Sequence, residues 1–282
     1  MSKRKKIGKV RLGVLALGLA CIISGAVSDV VHAATVTWVG GSSGLWSVSS
    51  SWSNNAIPTI NDDVTISGAT VTATASGLNL FFKSLTVNAA TVNFTSNFIG
   101  AENLTVTSTG IVYLNISTGN YSEIFGTLTV AGGSSVRTVP GTNTKSVLLY
   151  AENLNLEAGS SISAYRSGAL GGANGANGSG SGSTRGLGNA AGGGGGANAG
   201  AGGNGTGANG GSSQSCITAV NISVGYGAGG GGGGTGATGG QGGGLIFLKI
   251  NNIATINGSI LAYGENQQNT GGGGDGGGGA GG

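Results

Sequence analysis

Histidine is almost missing from this chain: a single His32 stands among 282 residues, with two cysteines, one methionine and two prolines. Charged residues make up 7% and aromatic residues 5%. Each shortage removes a class of chemistry. A Ser-His-Asp relay, a Cys-His pair or a His-ligated zinc site needs imidazole, and His32 falls in a segment that reads as removable. Cys21 falls in the same segment. The remainder keeps only Cys216, expected as a small buried apolar residue beside Ile217, and closes no intrachain disulfide.

The removable segment is the first 33 residues. Lys3, Arg4, Lys5, Lys6, Lys9 and Arg11 form a basic n-region, and Leu12 to Val27 is a mostly apolar h-region. Val31-His32-Ala33 sets compact residues before a cleavage point between Ala33 and Ala34, the order of a secretory signal peptide. The apolar run is short for a bilayer span of about 20 residues, so the membrane enters only through this segment. Gly18, where a lipobox wants Leu, argues against acylation of Cys21. The leader carries six Lys/Arg and Asp29, which leaves six basic and eight acidic residues, a net charge of −2. The basic balance of the whole chain is therefore a targeting feature, and no basic patch remains for nucleic acid.

What the chain has in quantity is repetition. The phrases Val64-Thr65-Ile66, Leu85-Thr86-Val87, Leu104-Thr105-Val106, Leu128-Thr129-Val130 and Leu154-Asn155-Leu156 start 21, 19, 24 and 26 residues apart. Each alternates apolar, polar, apolar, the period of a half-buried strand. A strand phrase returning at that interval predicts a solenoid with one coil per repeat. Val64, Leu85, Leu104, Leu128 and Leu154 are expected to stack as a core ladder, with Thr65, Thr86, Thr105, Thr129 and Asn155 on the outside. A turn of Gly, Ser, Asn or Ala and a second short strand follow each phrase, as at Val71 with Ala73 and Val92 with Phe94. Ala-Glu-Asn-Leu occurs at both 101–104 and 151–154.

The expected organisation is a signal peptide over 1–33, an N-terminal cap over 34–63, coils over 64–167, and a glycine-rich region over 168–282. Trp38, Trp46 and Trp52 fall in the cap, where large rings can cover an otherwise open first coil. Two strand-like islands, 216–224 and 245–263, interrupt the glycine region. Asn-Gly-Ser-Ile-Leu-Ala-Tyr at 257–263 echoes Ala-Gly-Ser-Ser-Ile-Ser-Ala-Tyr at 158–165. The glycine tracts therefore read as excursions from the solenoid, either packed as extended polyglycine or mobile, which composition does not decide. The sequence stops in a glycine run, the pattern expected of a fragment or a frayed end.

The pattern Trp38-Val-Gly-Gly, Trp46, Trp52, Pro58, Asp62-Asp63-Val64-Thr-Ile resembles the opening of repetitive bacterial surface proteins of the autotransporter and adhesin type. Asn-Leu-Asn-Leu-x-Ala-Gly-Ser-x-Ile-x-Ala followed by polyglycine resembles the glycine-rich coils of large bacterial β-helix surface proteins. The resemblance implies an all-β, right-handed parallel β-helix exported to the cell surface. Neither a membrane-barrel segment nor a sortase-type anchor is seen in the sequence.

Carboxylates are the one chemistry left to weigh. Asp62, Asp63, Glu102, Glu123, Glu152, Glu157 and Asp275 are the candidates for a polysaccharide-active β-helix enzyme. Adjacent Asp62 and Asp63 point apart if extended, and no local spacing forces the pair of carboxyls that glycoside hydrolysis needs. Gly274-Asp275-Gly276 is a single calcium-like hit without repetition, and the Gly-x-Gly-x-x-Gly matches lack the strand and helix of a dinucleotide site. The expectation is a non-catalytic, secreted or cell-surface structural and adhesive protein with no cofactor and no metal. Its expected partners are surface glycans, a host surface or copies of itself. An ice- or surface-binding solenoid using the threonine column is the other alternative.

Overall fold

The structure, a computed structural model, describes residues 34–73, 80–95, 99–114, 122–143, 145–180, 186–189, 194, 196, 204, 208–212, 226–234, 237–266, 268–269 and 279. The chain divides into two units, Met1–His32 and Ala33–Gly282. The leader with Ala33, the 216–224 island with Cys216, and Asp275 lie outside the described residues.

The described chain is all-β, with one 3-10 turn at Ser49–Ser51 among the described residues. Two seven-stranded parallel sheets dominate. The first holds β1 (Thr35–Thr37), β3 (Asp63–Ser67), β5 (Leu80–Asn88), β7 (Ile99–Thr107), β9 (Ser122–Val130), β11 (Ser146–Leu156) and β14 (Leu245–Ile256), in that spatial order. The second holds β2 (Ser43–Leu45), β4 (Thr70–Ala73), β6 (Thr91–Phe94), β8 (Ile111–Leu114), β10 (Ser135–Arg137), β12 (Ser161–Ser163) and β15 (Ser259–Leu261). Strands of the two sheets alternate along the chain, odd then even up to β12 and again as β14 then β15, so each turn of backbone gives one strand to each sheet, a parallel β-solenoid arrangement.

Register explains the stacking. Val64 lies opposite Leu85, Leu85 opposite Leu104, Leu104 opposite Leu128, and Leu128 opposite Leu154. All five are buried, as are Ile66, Val87, Val106, Val130 and Leu156 one step on. On the other sheet Val71, Val92, Val112, Val136 and Ile162 form a third buried column. Burying one such side chain contributes about 1.5–3 kcal/mol, and parallel pairing brings each onto its like from the next coil.

Pairing begins before residue 64. Val36 on β1 is opposite Val64, and Gly44 on β2 is opposite Val71. Residues 34–63, expected as a separate cap, thus supply a first coil as well. Four strands of the first sheet, β5, β7, β9 and β11, also extend further back than the repeated phrase. Each carries an earlier half whose inward residues are Phe82, Ala101, Ile124 and Ala151, all buried. Between the halves the ladder shifts at β9 and β11, and polar side chains fill the irregularity. Asn103 Oδ1 accepts from the Thr127 amide at 3.0 Å, and Asn252 Nδ2 donates to Asn153 Oδ1 at 3.0 Å.

Glycine is not the only residue that turns the corners. Gly68, Gly132, Gly133 and Gly159 have positive φ, but so do Ala89, Ser108 and Thr109 at +46°, +54° and +65°. A β-branched residue there is strained, at about 1–2 kcal/mol for the left-handed region. Thr109→Gly should therefore raise the urea midpoint by an amount worth about 1 kcal/mol, whereas an unchanged or lower midpoint would locate the strain elsewhere.

Residues 164–244 separate β12 from β14, yet β14 returns to lie against β11 in register, from Ser146 opposite Leu245 to Leu156 opposite Ile256. The glycine tracts are therefore an excursion from the coils, and their described parts are packed. Segment 226–233 hydrogen-bonds to five neighbouring stretches. Ala169 and Gly172 amides donate to the Gly227 and Gly230 carbonyls. Gly186 and Asn189 amides donate to Gly229 and Gly232, and Gly229 and Gly232 amides donate to Ser179 and Ala176. The Gly227 and Gly230 amides donate to Gly243 and Gly240, and the Gly231 amide donates to Gly194. A strand in a sheet has two neighbours; this segment has five. Every relation with two bonds repeats after three residues, the turn of a polyproline-II-type helix, which makes no internal hydrogen bonds. The described parts of the region form a bundle of extended polyglycine helices bonded backbone to backbone. A short antiparallel pair, β13 (Ala237–Thr238) with β16 (Gln268–Asn269), adds to it.

Candidate functional site

Three features could carry function: the tryptophan end, the outer threonine column and a groove on the face of the first sheet.

Trp38, Trp46 and Trp52 converge at the first coils and are buried. Trp38 and Trp52 meet edge-to-face at 5.1 Å, and Trp46 and Trp52 at 4.8 Å. Trp46 continues the stack to Phe82 at 5.7 Å and to Phe94 at 6.1 Å. Trp52 Nε1 donates to the Trp46 carbonyl at 2.9 Å, and Trp38 Nε1 to the Gly41 carbonyl at 2.9 Å. The rings thus fill the interior of the first coils and leave little aromatic surface for a ligand. At the opposite end, Ile256 and Ile260 are 49% and 42% exposed, while their in-register partners Leu156 and Ile162 are fully buried. The last coil therefore shows part of its apolar face.

The outer column is longer than the repeated phrase indicated. Thr37, Thr65, Thr86, Thr105 and Thr129 lie in register, followed by Asn155 and Thr255. Thr37 sits in the expected cap and Thr255 lies beyond the glycine excursion, so spacing alone did not reach them. Asn155 interrupts the column where expected.

The carboxylates are dispersed. Asp62 caps a turn, its Oδ2 accepting from the Thr59 amide at 2.6 Å and hydroxyl at 2.8 Å. Asp63 Oδ1 accepts from Ser84 Oγ at 2.6 Å, and its Oδ2 lies 3.8 Å from Lys83 Nζ. Glu102 and Glu152 stand on strands separated by β9, so two strand spacings, about 9.5 Å, divide their backbones. Glu123 is opposite Gly100 on one side and Tyr150 on the other. Glu157 is an exposed turn residue. Among the described residues no group of three or more His, Cys, Asp or Glu is placed to hold a metal ion.

The groove forms where β5, β7 and β9 run side by side. In the outward column Phe81 is opposite Gly100, and Gly100 is opposite Glu123. A recess of about 360 Å³ opens beside Phe81 and Gly100, where Gly100 brings no side chain into it. Phe81 and Phe125 line it with Ile60 from the turn before β3, and Asn61, Lys83 and Glu102 supply polar atoms. Phe125 is 56% exposed and Ile60 60%. Sequence reasoning singled out Glu102 among these but missed Ile60, Phe81, Gly100 and Phe125, which only the fold brings together.

Comparison of the chain with protein-family models, with curated proteins and with solved structures gives no match. Among the described residues no helix is long and apolar enough to cross a membrane.

One titrating group ties the excursion to the coils. Tyr226 and Ser146 share a hydrogen bond of 2.7 Å between hydroxyls. Burial pushes the Tyr226 phenol above its ordinary value, and the Ser146 bond offsets part of that rise. The folded value is raised, so its contribution to stability is complete below about pH 10 and is lost as pH climbs through the folded value. Tyr226→Phe should flatten the alkaline fall in melting temperature between pH 9 and about pH 12; parallel curves for variant and parent would discount this group.

Proposed function

We propose that this chain is an exported structural and adhesive protein of a bacterial cell surface, a right-handed parallel β-helix that works by presenting its outer faces. One observation carries the reading: five repeats of a single phrase stand in register on one parallel sheet, apolar side chains inward and a Thr/Asn column outward. Such stacking produces a stiff scaffold whose surface residues are spaced by the inter-strand distance of about 4.8 Å. Right-handed winding is the sense that nearly all parallel crossovers adopt. The leader supports export, and the polar, charge-poor faces support contact with glycans, a host surface or further copies. The reading assigns no catalysis.

The test is to express the full chain with a C-terminal tag in a bacterium. The expected result is a processed protein whose first residue is Ala34 and which externally added protease removes from intact cells. Unprocessed protein held in the cytoplasm would overturn the reading.

A further inference from the structure

We propose that the recess at Gly100 is a binding site for a pyranose unit of a neutral polysaccharide. It deepens the adhesive reading above and rests on it only in taking an outer face as the contact surface. The inference starts from what the recess offers. It measures about 360 Å³, at the lower end of small-ligand sites, about 300–1,000 Å³, and so suits a ring or two better than a protein face. Its apolar part is large and wet: Phe125 and Ile60 keep more than half of their surface in solvent. Together they give a ligand an apolar surface to cover.

The polar part sets the ligand's charge. Lys83, the cation of the recess, lies 3.8 Å from the Asp63 carboxylate, which balances it. Glu102 lines the recess, and Glu123 stands opposite Gly100 in the adjacent strand. The local field is therefore negative, and a polyuronate or sulfated glycan meets repulsion. A suitable ligand brings an apolar face for the phenyl rings and uncharged donors for the Glu102 carboxylate and the Asn61 amide. A neutral hexopyranose has that division, with C–H bonds on its faces and hydroxyls around its edge. Gly100 fits the assignment because a side chain there would intrude on the space.

The experiment is affinity electrophoresis of the full chain through gels containing laminarin, dextran or galactomannan, with polygalacturonate as the anionic probe. At least one of the three neutral polysaccharides should retard the protein. Phe125→Ala should weaken that retardation at least fivefold, and Gly100→Val should abolish it. Phe125 points into solvent, so Phe125→Ala should keep the parent circular dichroism and melting temperature and remain informative if Gly100→Val disturbs the strand. Three results would overturn the proposal: no retardation by any neutral probe, retardation by polygalacturonate alone, or undiminished retardation of Phe125→Ala. Because the assay uses soluble protein, its failure leaves export untouched, and failure of the protease test leaves binding untouched.

Discussion

Leu128→Asp should yield no folded protein. Leu128 is fully buried on β9, between Leu104 on one coil and Leu154 on the next. A carboxylate there loses its hydration and finds apolar neighbours on both sides, at a cost of several kcal/mol even after its proton is regained. The damage also spreads, because coils stabilise one another through nearest-neighbour contacts. Leu128→Ala provides the graded comparison: it should fold with a loss of about 2–5 kcal/mol. Thr129→Asp, one residue on and half-buried on the outer column, should keep the parent strand signal in circular dichroism. If Leu128→Asp instead shows that signal with an unchanged urea midpoint, the residue does not lie between coils.

Gly229→Ala should break the glycine bundle while leaving the coils folded. A Cβ at this position would lie 1.9 Å from the Leu170 carbonyl oxygen and 2.4 Å from its carbon. Neither side can yield easily. The Gly229 amide is held by Ser179, and its carbonyl accepts from Gly186. Similar clashes await a Cβ at Gly171, at 1.8 Å from the Gly239 oxygen, and at Gly242, at 1.9 Å from the Gly227 oxygen. One methyl therefore separates backbones that approach this closely only without side chains. Hydrogen–deuterium exchange should show loss of protection across 168–180 and 226–244, with protection kept at β5, β7 and β9. Ala173→Ser, at an exposed position of the same excursion, should change nothing. Retained protection in Gly229→Ala would mean that the tracts are not held by close backbone contact.

The two substitutions bear on parts of the molecule that differ in legibility. The Leu-Thr-Val phrases were readable because a buried column demands apolar residues on alternate positions, and the sequence shows them. Their earlier halves, around Phe82, Ala101 and Ile124, were harder to see. Two or three further residues, such as Glu102-Asn103 or Phe125-Gly126-Thr127, intervene and interrupt the period of two. The glycine excursion carried no pattern of this kind. Its cohesion comes from amides and carbonyls, which every residue has, so composition could not separate a packed bundle from a loose linker. The recess at Gly100 was least accessible of all. A glycine in a strand signals only close approach or a gap, and the neighbours that make it a gap come from three other stretches of chain.

The three-residue return of the backbone bonds between Ala169 and Gly227 and between Gly172 and Gly230 governs how these tracts can change length. One residue in such a helix turns the chain by about 120°. Inserting or deleting a single residue would swing every later glycine away from its contact, whereas a change of three restores the same face to the same neighbour. Tract length can thus drift in steps of three at little cost to cohesion, and solvent-facing positions of the outer helices, such as exposed Ala173, are free to vary in chemistry.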